Sequence, residues 1–287
     1  MTVTEKKETL QIGAFLKSRR AALDPDEVGL PPVHNRRRVP GLRREEVAQL
    51  AGISVDYYIR IEQDRAHSIS APVLDALARA LRLTADEHTY LRNLADPQFG
   101  DGSSTRTVVR PEIQRLLDSM DPHIPAFVYG PGLDFLAWNR IGARVAFDLE
   151  ALPPRWRNAP LLVFRHPDSR TLHPGWEELA AETVAALRAD CARYPCHPRA
   201  KAVLTELLEG SPRFRELWED HQVREKLSGR KRIHHPEAGE LEVSYETFQL
   251  TVDHHQTLCT YTVEPGSPSE AALRWLADRT PAASVPH

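Results

Sequence analysis

RREEVAQLAGISVDYYIRIEQ, residues 43–63, is the stretch from which the fold of this chain follows. Two short helices with apolar period, 43–51 and 54–63, are separated by Gly52. Ala48 sits where the two would cross, and a larger side chain there would push them apart. Gly52, four residues on, can take the left-handed backbone that a tight inter-helix turn requires. Val47, Leu50, Ile53, Tyr58 and Ile61 are then expected to point inward. Ser54 is placed to cap the second helix, whose outer face would present Ser54, Val55, Asp56, Tyr57, Ile59 and Arg60. A second helix offered to the major groove in this way is the geometry by which base edges are read. Arg43 and Arg44 open the first helix, where free N–H groups and two guanidiniums suit a phosphate. Asp56 cannot favour phosphate, so it is expected to accept from cytosine N4 or to orient Arg60.

On either side the helical period continues. Ile12, Phe15, Leu16 and Leu23 mark a helix over 10–23 with Thr9 as its cap, and 24–41, rich in Pro and Gly, reads as a loop. Ser70 opens a helix with Leu74, Leu77, Ala78 and Leu81 on one stripe. Thr84 with Glu87 forms a capping box before Tyr90, Leu91 and Leu94. Five helices make residues 1–95 an all-α DNA-binding domain. Charge agrees: residues 1–95 hold 15 Lys and Arg against 13 Asp and Glu, whereas the remainder holds 22 against 27. Within 17–44, Lys17, Arg19, Arg20, Arg36, Arg37, Arg38, Arg43 and Arg44 face only Asp24, Asp26 and Glu27, a basic stripe suited to phosphate. Arg36, Arg37 and Arg38 are expected to hold the backbone or reach the minor groove. The adjacent Glu45 and Glu46 suit solvent.

Residues 96–110 read as a linker, 111–280 as a second domain and 281–287 as a flexible tail. The second domain reads as strands, then helices, then strands, which is α+β around an antiparallel sheet. A hairpin is expected over 125–138 around Gly130-Pro131-Gly132. Helices follow around Trp176–Leu187, around Val203–Leu208, and after the Ser211-Pro212 cap. Leu241, Val243 and Tyr245 alternate as a strand, Cys259, Tyr261 and Val263 as another, and Ser267 to Glu270 forms a capping box for a last helix. No apolar run approaches the roughly 20 residues that a bilayer needs. Three cysteines argue against a disulfide framework, so a cytoplasmic, non-membrane protein is expected. GxSxG, HExxH, glycine-rich phosphate loops and GxGxxG after a strand are all missing, and no enzyme is expected.

Residues 10–95 resemble the Cro/cI-like (XRE) helix-turn-helix family, through PGLRREEVAQLAGISVDYYIRIEQDR and VLDALARALRL. The subgroup they resemble carries a C-terminal MmyB-like ligand-binding domain, and FLAWNR, SPRFRELWEDHQVR, HPEAGELEVSYE and YTVEPGSPSEAALRWL extend the likeness to residue 276. The resemblance implies a bacterial transcriptional regulator, a PAS-like second domain, a homodimer on double-stranded DNA, and a small apolar ligand of the fatty-acid kind. No cofactor or metal is expected. For that ligand, Phe127, Phe135, Trp138, Phe147, Trp156, Phe164, Trp218, Tyr245 and Tyr261 are candidate walls. Asn139, Arg165, His221 and His235 are the candidate polar anchors, with Arg165 or His221 pairing a carboxylate head. Two other readings stay open: a second domain that only dimerises, and a metal or redox switch using Cys191, Cys196, His197 and the pairs His234-His235 and His254-His255.

Overall fold

The chain is described from a computed structural model covering residues 12–28, 41–66, 68–96, 108–195, 197–223 and 228–279. It divides into two compact units, separated between residues 96 and 108. The first holds α1 (Ile12–Ala22), α2 (Arg44–Ala51), α3 (Val55–Glu62), α4 (Ala71–Ala80) and α5 (Ala85–Ala95). Pro25–Val28 forms a single 3₁₀ turn where a loop was expected. Thr9, Arg36, Arg37, Arg38 and the tail lie outside the described residues. Apolar side chains at helical spacing close the unit: Leu16, Val47, Ala48, Tyr58, Ile61, Leu77 and Leu91 are all buried. Phe15 meets Tyr90 edge to face at 5.0 Å. Thr84 and Glu87 form the reciprocal box that opens α5. Ser70 precedes α4 without a side-chain cap bond, and Pro72, lacking an N–H, leaves that first turn with one donor fewer to satisfy.

The second unit is built on a five-stranded antiparallel sheet. Its elements are α6 (Pro111–Ser119), β1 (Ala126–Tyr129), β2 (Phe135–Trp138), α7 (Ala159–Arg165), α8 (Ser169–Leu172), α9 (Trp176–Arg193), α10 (Pro198–Gly210), α11 (Pro212–Glu219), β3 (Ser228–His235), β4 (Gly239–Gln249), β5 (Thr257–Thr262) and α12 (Pro268–Arg279). The strands run in the order β2-β1-β5-β4-β3, so the first hairpin pairs with the last strand and β3 lies at an edge. Side chains alternate across the sheet. Ala126, Val128 and Leu258 pack on one face against Leu117 of α6. Phe127, Tyr129, Ile233, Leu241, Val243, Tyr245, Cys259 and Tyr261 face the other way, toward Val145, Leu149, Leu162 and Leu273. This is the α+β arrangement around an antiparallel sheet that the order of strands and helices in the sequence predicts.

Two local devices set the second face. Asn158, fully buried, accepts from Leu161 N–H at 3.0 Å and so caps α7. Its amide donates to Gly132 O (2.8 Å) and Asp134 Oδ1 (2.7 Å), tying α7 to the β1–β2 turn. Arg199 at the start of α10 grips the same Asp134 with three bonds of 2.8–3.0 Å. Ser211 caps α11 as expected. In the last helix Ser267 Oγ accepts from Glu270 N–H, but the Glu270 carboxylate returns to Gly266 N–H rather than to Ser267.

Candidate functional site

In the first unit the α2–α3 pair is assembled from its turn outward. Gly52 adopts φ 67°, and its N–H reaches Gln49 O while Ile53 N–H reaches Ala48 O, which closes the last turn of α2. Ser54 Oγ accepts from Tyr57 N–H at 3.2 Å and starts α3. Glu46, expected in solvent, is 8% exposed instead. Its carboxylate takes the N–H of Arg43 at 2.7 Å, because the first N–H groups of α2 have no helical partner. Leu50 also departs from expectation. It lies 37% exposed on the outer side of α2, whose buried apolar stripe is Val47, Ala48 and Ala51.

The unit also buries an ion cluster. Glu62, at the end of α3, receives Arg20 Nε and Nη2 at 2.9 and 3.0 Å and Arg44 Nε at 2.9 Å. Burial alone would raise the Glu62 carboxyl, but the hydrogen bonds from Arg20 and Arg44 outweigh it and hold the group below its ordinary value. Arg20 Nη1 also donates to Leu42 O at 2.7 Å, fixing the chain just before α2. Asp64 caps α1 through Gly13 N–H at 2.9 Å, and a Cβ on Gly13 would collide with the Glu62 carbonyl. Part of the expected basic stripe is therefore internal: Arg20 is buried, and Arg19 pairs with Glu87 at 2.6 Å. Arg43 and Arg44 remain 42% exposed at the start of α2, Arg43 beside Glu45 at 3.8 Å. With α3 held this way, Ser54, Val55, Asp56 and Arg60 are exposed, while Tyr57 and Ile59 are half-buried and the Tyr57 hydroxyl leans toward Ser68 O.

In the second unit the inner face of the sheet lines an apolar cavity. Its walls include Phe127, Tyr129, Phe135, Phe147 and Tyr261, closed by Val145, Leu149 and Leu162. Phe127 stands edge-on to Phe135 (5.6 Å) and to Tyr261 (5.2 Å), so the aromatic wall is interlocked. Three polar groups reach it: Lys231, His173 and Thr183. Lys231 Nζ donates to Tyr261 Oη at 3.2 Å and lies 5.0 Å from the centre of the Tyr245 ring. Burial, reinforced by the neighbouring Tyr261 and Cys259, holds the Tyr129 phenol well above its ordinary value, so it stays neutral.

Residues 11–91 match a helix-turn-helix domain, and residues 109–276 match the MmyB-like transcription regulator ligand binding domain. This chain belongs to the MmyB-like transcription regulators. It is thus a DNA-binding transcriptional regulator with a ligand-binding domain, and neither family is an enzyme family. No match was found among curated proteins. No helix among the described residues is long and apolar enough to cross a membrane.

Of the residues singled out for the ligand, Phe127, Phe135, Phe147 and Tyr261 line the cavity. The others are placed elsewhere, and their neighbours say why. Asn139 is used up by the backbone: its Oδ1 accepts from Ala126 and Gly142 N–H, and its amide donates to Ile124 O. His235 donates from Nε2 to Arg144 O and accepts at Nδ1 from Glu237 and Ala238 N–H, which identifies a neutral ring. Phe164 packs between Trp176 and Phe214, and Arg165 lies over Gly210 at the end of α10. Trp218 stacks on Phe214 under the guanidinium of Arg188, with His221 beside it. Trp138 lies under Arg157 and Trp156 under Arg155. Tyr245 is core, next to the cavity rather than in it.

Lys231, Tyr129 and His173 were not anticipated. The signal that would have found Lys231 is the alternation in RKRIHH, where Lys231, Ile233 and His235 share one face of β3; its charge hid the strand. Cys191 is buried, and burial pushes its thiol up, away from the reactive thiolate. Cys196 lies outside the described residues. Among those described, no three His, Cys, Asp or Glu side chains come together as metal ligands. On β3, His234 is exposed and His235 buried, so that pair faces opposite ways, as adjacent strand positions must.

Proposed function

We propose that the protein acts as a homodimer on an inverted-repeat operator, with its DNA affinity set by a small apolar ligand of the fatty-acid kind held in the second domain. The observation that carries this reading is the exposed face of α3, anchored where buried Glu62 meets Arg20 and Arg44, on the same chain as an aromatic-walled cavity. Two such helices would enter successive major grooves about 34 Å apart. Arg60 is the base-reading candidate, and Val55 offers an apolar contact to a thymine methyl. Arg43 and the outer nitrogens of Arg44 are the phosphate contacts. Ligand binding would then shift the population between dimer geometries that fit and do not fit this spacing.

Binding of the full chain to fragmented genomic DNA, at low and moderate salt, tests the reading. A short inverted repeat retained at moderate salt is the expected result. Arg60→Ala should then weaken operator binding by about 1–3 kcal/mol and leave random DNA unchanged. Binding that is sequence-blind and lost at moderate salt would overturn the operator claim, and equal loss on random DNA would move Arg60 to the phosphate backbone.

A further inference from the structure

The outward face of the sheet carries its charge in two columns of opposite sign. β3 sends Arg230, Arg232 and His234 outward, and β4 sends out Glu240, Glu242 and Glu246. The register sets Arg232 beside Glu242 and His234 beside Glu240, with Arg230 next to Ser244. Neighbouring strands lie about 4.8 Å apart, so the columns run side by side as narrow stripes. Arg230, His234, Glu240 and Glu242 each keep half or more of the side chain in water. On the same face α6 covers the β1–β5 part, where Leu117 packs on Ala126, Val128 and Leu258. Among the described residues, the β3–β4 part keeps its outward side chains exposed.

Cross-strand pairing uses little of this charge. Arg230 Nη1 stands 3.9 Å from Glu242, at the limit of an ion pair, and His234 meets Glu240. A guanidinium has five donors and a carboxylate about four lone-pair sites, so a single neighbour leaves most of that capacity unused. Beyond the edge of β3, Glu178 and Glu182 of α9 share a hollow with Arg230 and Arg232. A face so evenly balanced does not attract a polyanion such as DNA. What it matches is a copy of itself. A two-fold axis parallel to the strands and running between β3 and β4 lays each β3 column over the other copy's β4 column. Arg232 then faces Glu242 of the partner subunit, and His234 faces Glu240 of the partner subunit, each contact occurring twice. Shifting the axis onto either column would set like charges against like, so the pattern also specifies the alignment. Sheets stacked face to face stand about 10 Å apart, a gap that one Arg and one Glu side chain span together. Phe248 continues the β4 column past Glu246 and is 53% exposed, so covering the face also takes an aromatic ring out of water.

We infer that the outward β3–β4 face is the surface through which two copies of this chain associate, the basic column of each lying on the acidic column of the other. This rests on the homodimer proposed above and adds where the subunits meet. It leaves the inner face of the sheet, with its cavity, to the ligand.

Sedimentation equilibrium of the full chain, without DNA, tests this with two charge-reversed variants. One combines Glu240→Arg with Glu242→Arg and presents two basic columns. The other combines Arg230→Glu with Arg232→Glu and presents acid in both. The parent is expected to be a dimer. Each variant alone should self-associate at least about tenfold more weakly, since like charges then face one another. An equimolar mixture of the two should recover the dimer, because a basic face meets an acidic one. Mixing cannot rescue a variant that merely fails to fold, so recovery separates the two causes. Variants as dimeric as the parent would overturn this surface and leave the homodimer reading intact. Weakened variants that mixing does not restore would overturn the facing of the two columns. A parent that stays monomeric at every concentration would overturn both this inference and the homodimer reading. Recovery by mixing, in a chain that recognises no inverted repeat, would sink the operator claim and leave the surface standing.

Discussion

The helix-turn-helix domain buries the pair Arg20 and Glu62 and turns its candidate site outward, whereas the ligand-binding domain turns its candidate site toward the inner face of its sheet. In the first, Arg20 and Glu62 are buried so that α3 can offer Ser54, Val55, Asp56 and Arg60 to solvent. In the second, the outward positions of β3 and β4 hold Arg230, Arg232, Glu240 and Glu242, and the residues of interest face the cavity on the inner side of the sheet. The difference follows from the partner. A duplex is read by a convex surface that already exists, whereas a small molecule must be enclosed, and enclosure draws walls from many elements. A contiguous motif can make the first kind of site. Only distant segments brought together can make the second.

That contrast can be broken. The largest effect expected is from Glu62→Ala, which strands Arg20 in the interior and should destabilise the first domain by about 3–5 kcal/mol. Thermal melts should show the first transition lowered and the ligand-binding domain unmoved; an unchanged melt would mean the cluster does not hold α3. Gly52→Ala comes next. Nothing lies within 4 Å of a Cβ there, so the change should act only through the left-handed backbone and cost about 1–2 kcal/mol. A larger loss would point to a rearranged α2–α3 turn rather than to backbone strain.

The smallest effect sharpens the other side. Burial holds the His235 ring below its ordinary 6.5, against the opposing pull of the Arg144 carbonyl. His197 is lowered too, by burial and by His255. For groups depressed on folding, the unfolded chain binds protons first. Their stabilisation is complete above pH 6.5 and is lost as the pH falls below it. The ligand-binding domain should therefore melt progressively lower from pH 7 to 5, and His235→Gln should melt lower still at pH 7 but with a shallower slope. An unaltered slope would remove His235 from the account. Glu62, depressed below its ordinary 4.5, puts the corresponding loss in the first domain at more acid pH.

How much was legible depended on how far apart the interacting residues lie. Ala48, Gly52 and Ser54 are seven positions from end to end, and helical spacing alone dictates that they meet. Leu50 and Glu46 were misplaced because period tells which residues share a stripe but not how wide the partner is. The Arg20–Glu62 pair spans 42 positions and had no local signature. In the second domain, β4 and β5 were visible through apolar alternation, while β3 was hidden because its inward set includes Gly229 and Lys231, which break the apolar alternation. Of the nine aromatic residues singled out, Phe127, Phe135, Phe147 and Tyr261 line the cavity. Which of them line the cavity depends on position along the sheet as well as on its face: Trp138 and Tyr245 share the inner face with Phe127 and Tyr261 but stand beside the cavity.

The sequence by itself determined the two-domain division of labour, the turn between α2 and α3, the exposure of Ser54, Val55, Asp56 and Arg60 and the alternating strands β4 and β5. Each of these rests on contacts within a turn or two of helix, or on a period of two, and local chain geometry fixes such contacts. Only the tertiary structure decided that Glu62 gathers Arg20 and Arg44, that β5 lies between β1 and β4, and that Lys231 stands beside Tyr261. Those pairings join segments separated by tens of residues, and their stabilisation comes from excluding water on all sides at once. No single segment carries that property, so it becomes visible only when the chain is closed.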